Sequence, residues 1–214
     1  ISLPSPEYPN SFLWPFVVDH QGQRFGKYPL GWPAVLALGE LLHLRELVNP
    51  LLAGLAVWLI YRLGRRLFGE PVALLAAFLT VVSPFFLVNS GSLLSHPLGL
   101  VLSAAFTLAW LQAFTSPPPP SQASRRLWAF TIAAALLLAA LVLTRPFTAL
   151  AVAVPFAFHG LYRLVTGDGQ VRRRLFTFVL LAGSLSLLHL AWQYTVTGDP
   201  LLNPYTLWWP YDKI

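Results

Sequence analysis

Hydrophobic and polar positions alternate on a coarse scale along this chain. Six apolar stretches, Val48 to Leu63, Pro71 to Asn89, Pro97 to Phe114, Leu127 to Leu143, Pro146 to Leu164 and Leu175 to Tyr194, are separated by short polar gaps. At about 1.5 Å of rise per residue, each stretch is long enough as a helix to cross most or all of a hydrocarbon core roughly 30 Å thick. Arginine marks every second gap. Arg62, Arg65 and Arg66 end the first stretch, Arg125 and Arg126 precede the fourth, and Arg163, Arg172, Arg173 and Arg174 lie between the fifth and sixth. These nine of the 14 Lys and Arg residues assign the three gaps to the cytoplasmic side and both chain ends to the outside.

The pattern predicts an all-α polytopic transmembrane bundle. Ahead of it, Trp32 to His43 (WPAVLALGELLH) is apolar but too short to span, and it carries Glu40 and His43. That segment reads as an interfacial helix opened by Pro33. Three regions follow: an extracytoplasmic loop with its interfacial helix at 1–47, the transmembrane bundle at 48–195, and the start of another extracytoplasmic loop at 196–214. Residues 1 to 32 read as an ordered outer loop with turn signals at Pro4, Pro6, Pro9 and the Gln21 to Arg24 tract. Pro50, Pro71, Pro97 and Pro146 each stand at the expected first turn of a span, where a missing N–H costs little. Leu127 to Leu164 would form an overlong helix but for Thr144, Arg145 and Pro146, which predict a tight hairpin with Arg145 at the outer surface. The PPPP-containing gap from Thr115 to Ser124 predicts an extended spacer.

Composition agrees with a membrane chain: 56% of residues are hydrophobic, 10% are charged, and the mean hydropathy is +0.63. The net charge of +6 does not point to nucleic acid, because the basic residues sit in three gaps rather than along one face or arm. Cysteine is absent, which excludes disulfides, thiolate nucleophiles and Cys-ligated zinc for this stretch. Methionine is absent too, and the start carries no signal-peptide pattern, so the chain reads as an internal fragment.

The six spans hold no acidic residue, which argues against a proton or cation pathway built on intramembrane carboxylates. The candidate chemistry gathers on the outer side: Asp19, His20, Arg24, Lys27, Tyr28, Glu40, His96, Arg145, Asp199 and Tyr205. Cations beside apolar helices suit a substrate with an anionic head and a lipid tail. P-loop, G-x-G-x-x-G, H-E-x-x-H and G-x-S-x-G patterns are all missing, and so is an Asp-x-Asp pair for a metal and nucleotide diphosphate.

Four segments, GQRFGKYPLGWPAVLALG (Gly22 to Gly39), NSGSLLSHP (Asn89 to Pro97), LTRPFTALAVAVPF (Leu143 to Phe156) and TGDPLLNPY (Thr197 to Tyr205), carry a family likeness. In this order the chain resembles membrane glycosyltransferases of the GT-C fold, in the bacterial branch related to protein O-mannosyltransferases and lipid A aminoarabinose transferase. The resemblance implies an inverting transfer of a sugar from a polyprenyl-phosphate carrier to an acceptor outside the cytoplasm, in a multi-pass protein of the cell membrane. It also implies an outer-loop carboxylate as base and cations that stabilise the departing lipid phosphate. Lys27 and then Arg145 are the expected donor-phosphate ligands, and Tyr28, His20, His96 and Tyr205 the expected substrate contacts. The family pattern places a span and its acidic catalytic residue upstream of Ile1, and further spans beyond Ile214. Asp19 is then only a substitute base, and the fragment alone is expected to be inactive. Cofactor identity is open, with a divalent metal as one option and no metal ligand assigned.

Structural readings stand beside these. Lys27 and Arg24 also suit a headgroup-binding loop, and Arg145 a snorkelling anchor. His20 and His96 suit a structural role as well as proton transfer or acceptor binding. His159 and His189 are expected to make interhelical hydrogen bonds, Asp199 to serve a turn, and Tyr205, Trp208, Trp209 and Tyr211 to mark the interface or face a sugar. A transporter or lipid flippase is the main functional alternative, and a noncatalytic membrane scaffold is a third.

Overall fold

The fold is taken from a computed structural model that describes residues 2–7, 16–115 and 123–208. Among the described residues, a small antiparallel sheet of β1 (Leu3–Pro4), β2 (Val17–His20) and β3 (Gln23–Gly26), in the order β1-β3-β2, precedes nine helices. These are α1 (Gly31–Leu41), α2 (Arg45–Phe68), α3 (Glu70–Val81), α4 (Pro84–Ser90), α5 (His96–Phe114), α6 (Ala123–Thr144), α7 (Pro146–Thr166), α8 (Gly169–Thr197) and α9 (Pro204–Trp208). The expected spacer lies largely outside the described residues, as do Pro9, Trp209 and Tyr211.

Among the described residues, five helices, α2, α5, the Arg125–Thr144 part of α6, α7 and α8, are long and apolar enough to cross a membrane. The chain is therefore an all-α multi-pass bundle. The second expected span is not one helix. It breaks after Val81 and resumes at Pro84, and the two pieces, α3 and α4, are bent by 63°. Pro84 supplies no N–H and holds Ser83 in extended geometry (ψ 118°), while Ser83 Oγ caps the new helix by accepting from Phe86 N at 3.4 Å. A second correction concerns Pro50, which lies inside α2 rather than at its start, because the helix begins at Arg45.

The first 32 residues, read as a loop, contain the sheet. Gln21 (φ 48°) and Gly22 (φ 74°) both adopt the left-handed region that closes a two-residue hairpin between β2 and β3. Val18 and Phe25 of that hairpin pack on Trp192 and Val196 near the end of α8. The sheet thus sits on the bundle end where α8 finishes.

Helix α5 is the centre, with 61% of its apolar window buried against 11% to 33% for the other four. Alanines face its neighbours: Ala109 and Ala113 on α5, Ala134 and Ala135 on α6, and Ala182 on α8 let the backbones approach closely around Phe106, Trp110 and Phe178. Outward faces remain apolar, with Phe78, Phe158 and Phe176 each at least 62% exposed. Such a surface is stable in lipid and would aggregate in water.

The arginine-rich gaps converge at one end. Arg66 donates to Leu111 O at 2.9 Å, Arg174 donates to Ala113 O at 2.7 Å, and Arg173 lies 5.9 Å from the Trp128 ring. The sheet, α1 and the α6–α7 junction occupy the opposite end. There, a Cβ on Gly31 would collide with Thr144 Oγ1 and come within 2.8 Å of Leu143 O, so the start of α1 can lie against the end of α6 only with glycine.

Candidate functional site at the sheet end of the bundle

Pro146 sets the site's first feature. It opens α7, and Arg145 before it leaves helical geometry (φ −148°, ψ 81°), ending α6 at Thr144 as the hairpin signal predicted. Arg145 Nε donates to Thr148 Oγ1 in the first turn of α7 at 3.2 Å, and Nη1 crosses to Ser95 Oγ, the N-cap of α5, at 3.3 Å. Among the described residues no carboxylate pairs with this half-buried guanidinium.

The segment between α4 and α5, which leads into His96, is pinned from two sides. Trp32 Nε1 of α1 donates to Leu93 O at 2.8 Å, and Asn49 Nδ2 of α2 donates to Leu94 O at 2.9 Å and also to Ser92 O. Asn89, buried at the end of α4, donates to Phe85 O at 2.8 Å. These anchors fix the start of α5, where Ser95 accepts directly from Arg145 and His96 lines, together with Arg145, a cavity of about 310 Å³ whose apolar walls include Phe85, Phe86 and Leu100. His96 Nδ1 is buried without a hydrogen-bond partner among the described residues, and its ring meets Phe85 edge-on at 6.2 Å.

Lys27 occupies an aromatic enclosure beside the sheet. Its side chain is buried, with the ammonium 4.9 Å from the Tyr205 ring centre, 5.1 Å from Phe16 and 5.7 Å from Tyr28. Tyr28 in turn meets Tyr205 edge-on at 5.8 Å. Burial pushes the Tyr28 phenol above its usual range, and the Arg145 charge partly opposes that shift. Tyr28 therefore lies within electrostatic reach of Arg145, linking the enclosure to the cavity.

The expected residues thus fall into groups. Arg145 and His96 share the cavity; Lys27, Tyr28 and Tyr205 share the enclosure. Asp19 is held apart on β2, where Arg24 pairs with it at 2.8 Å and Ser5 Oγ donates to it at 2.7 Å. The Arg24 hydrogen bond, only partly opposed by burial, holds the Asp19 carboxyl below its ordinary range, which makes it a weak base. His20 pairs across the hairpin with Gln23, and its Nε2 is buried without a partner among the described residues. Neither Asp19 nor His20 is among the described residues lining the cavity. Asp199 serves its turn through Oδ1, which accepts from Leu201 N at 2.8 Å.

His159 bonds between helices as expected, its Nδ1 accepting from Trp110 Nε1 at 3.0 Å. His189 does not: its Nδ1 finds no partner among the described residues, and its ring leans on Trp192 of the same helix. The anchors Trp32, Asn49, Asn89, Ser95 and Thr148 escaped sequence reasoning. The available signal was polar residues next to prolines, in Asn49-Pro50 and Ser95-His96-Pro97. The described residues contain no group of three or more His, Asp or Glu side chains able to hold a metal ion.

The family model for dolichyl-phosphate-mannose-protein mannosyltransferases matches residues 39–194. The chain belongs to that family. It is a family of membrane glycosyltransferases of GT-C type. The match runs from the end of α1 through most of α8 and contains Asn49, Asn89, Ser95, His96, Arg145 and Thr148, whereas Lys27, Tyr28 and Tyr205 lie outside it. No curated protein and no solved structure matches the chain.

Proposed function

We propose that the protein transfers a sugar from a polyprenyl-phosphate donor to an extracytoplasmic acceptor, with the donor phosphate bound by Arg145. The observation that carries this reading is the Arg145 guanidinium, turned by the α6–α7 break into a cavity with apolar walls and no paired carboxylate. A lone half-buried cation among apolar helices is costly unless an anion meets it. Phe85, 73% exposed on the bent α4, leaves one wall of that cavity open toward the membrane, a route suited to a lipid tail.

In the transfer, an acceptor hydroxyl oxygen forms the new bond to the anomeric carbon while the bond from that carbon to the phosphate oxygen breaks. The bonding pair leaves with the lipid phosphate, and the acceptor proton passes to a carboxylate base that the described residues do not supply. Arg145 stabilises the charge that grows on the departing phosphate, and Ser95 and Thr148 hold the guanidinium in place. Lys27 adds positive potential from the enclosure. Tyr28, Tyr205 and His96 present rings and a free ring nitrogen to the sugar. Removing a group of Arg145's kind typically costs about 100- to 1000-fold in rate.

Membranes holding the protein and given polyprenyl-phosphate mannose, labelled in the sugar, test this. Label should leave the lipid and become covalently bound to acceptor, and Arg145→Ala should slow that transfer by about 100- to 1000-fold. The bent α3–α4 pair favours a second reading, a transporter, since interrupted spans often line transport sites. Movement of intact labelled donor across the membrane without transfer would select it.

A further inference from the structure

At the arginine-rich end, α7 and α8 leave a lateral groove of about 430 Å³. Phe106, Trp110 and Phe178 form its floor, and the exposed Leu161, Phe176 and Val179 are on its open side. Its lining residues are apolar apart from the indole N–H of Trp110, and His159 Nδ1 already accepts that hydrogen. Nothing in the groove invites a polar ligand, and its length along two helices suits an extended hydrocarbon chain.

Cations stand where the groove meets the helix ends. Arg163 follows Gly160 of the groove wall by three residues, which places it on the same side of α7, and its Nε is buried with no partner among the described residues. Arg163 also repels Arg174 electrostatically, with Asp168 the carboxylate that offsets Arg174. Arg174 is committed to Ala113 O, and Arg172 donates to Leu164 O at 3.0 Å. All three basic residues of α8 lie in its first turns, where the helix dipole is already positive and an anion is favoured. Asp168 spends one carboxylate oxygen capping that helix, accepting from Val171 N at 2.8 Å.

We propose that this groove binds one acyl chain of an anionic membrane phospholipid, with Arg163 taking its phosphate. The apolar trough fits the chain, and the unpartnered guanidinium nitrogen beside a cluster of like charges fits the head. A phosphatidylcholine of equal chain length offers the same tail but adds a cation beside Arg163 and Arg174. The polyprenyl tail of a donor held at Arg145 is the competing occupant, and it would have to reach from the opposite end of the bundle.

Native mass spectrometry of the protein purified in detergent, given phosphatidylglycerol or phosphatidylcholine with identical acyl chains, tests the site. Phosphatidylglycerol should be retained preferentially. Arg163→Gln should lower that retention roughly tenfold, the scale of one hydrogen bond between charged groups, without changing phosphatidylcholine. Ala157→Phe, at an exposed wall position, should lower retention of both lipids by filling the groove. Unfolding temperatures in detergent identify which variants keep the fold. Equal retention of the two lipids by the wild-type protein would overturn the proposal, and that comparison needs no variant. Unchanged phosphatidylglycerol retention in either folded variant would overturn it too. Displacement of phosphatidylglycerol by polyprenyl phosphate, lost in Arg145→Gln, would reassign the groove to the donor tail.

Discussion

Arg145 lies across the bare backbone of Gly99: a Cβ built on Gly99 would stand 2.8 Å from Arg145 Cδ and 3.7 Å from its Nε. The glycine leaves α5 flat where the guanidinium must pass to reach Ser95. Gly99→Ala would push a flexible side chain off its hydrogen bonds without disturbing the backbone. Sugar transfer should fall by about tenfold to 100-fold, in line with the cost of small displacements at a reacting centre, while the unfolding temperature stays near wild type. Steady-state transfer rates and a thermal melt of the same preparation check both halves.

The loop between α4 and α5 depends on side chains from two other helices. Asn49→Ala removes the donor to both Ser92 O and Leu94 O and leaves them unpaired, at a cost of about 1–3 kcal/mol. Trp32→Phe removes a single bond, to Leu93 O, and should cost about 1 kcal/mol. Hydrogen exchange of residues 91–95 should rise in both variants, more in Asn49→Ala, with α8 unaffected.

Lys27 should behave differently from Arg145. Its ammonium is surrounded by three aromatic rings, so Lys27→Met replaces a cation–π contact with apolar packing and costs about 0.5–2 kcal/mol of local stability. Donor binding should weaken less than in Arg145→Gln. Parallel titrations of the two variants with polyprenyl phosphate show the order.

The Asp19–Arg24 pair links the sheet to pH. Because the Arg24 bond depresses the folded Asp19 pKa below its ordinary 3.8, its stabilisation is full above that value and is lost as pH falls through the lower folded value. The contribution is small at this exposed site. Protease sensitivity of the β2–β3 hairpin should therefore increase only in acid below about 3.8, and Asp19→Asn should be sensitive at every pH.

Much of the bundle is legible in hydropathy, because lipid-facing helices must be apolar along their whole length. Arg145-Pro146 is also legible, since proline dictates the geometry of the residue before it. The break at Ser83-Pro84 uses the same chemistry but is masked by apolar residues on both sides, which let Pro71 to Asn89 pass as one span. The turn at Gln21-Gly22 is legible, but the strands it joins are hidden: they are four residues each, and the packing that stabilises them comes from Trp192 and Val196, far along the chain. Asn49 and Ser95 carry only the weak signal of a polar residue near a proline, and Thr148 carries none. Their role arises from which helix ends meet.

Absence of cysteine makes the orientation directly testable. Single cysteines at Gln21, on the hairpin turn, and at Arg172, on the opposite end, can be labelled in intact cells with a membrane-impermeant maleimide. The proposed function requires labelling at 21 and protection at 172.

The central claim is that Arg145 holds a lipid-linked phosphate. Affinities of the purified protein for polyprenyl phosphate and for the matching polyprenol separate the head from the tail, and they do not depend on a catalytic base. The wild type should prefer the phosphate by at least about tenfold, and Arg145→Gln should lose that preference while its affinity for polyprenol is unchanged. An Arg145→Gln protein that keeps the full preference for the phosphate would contradict the claim.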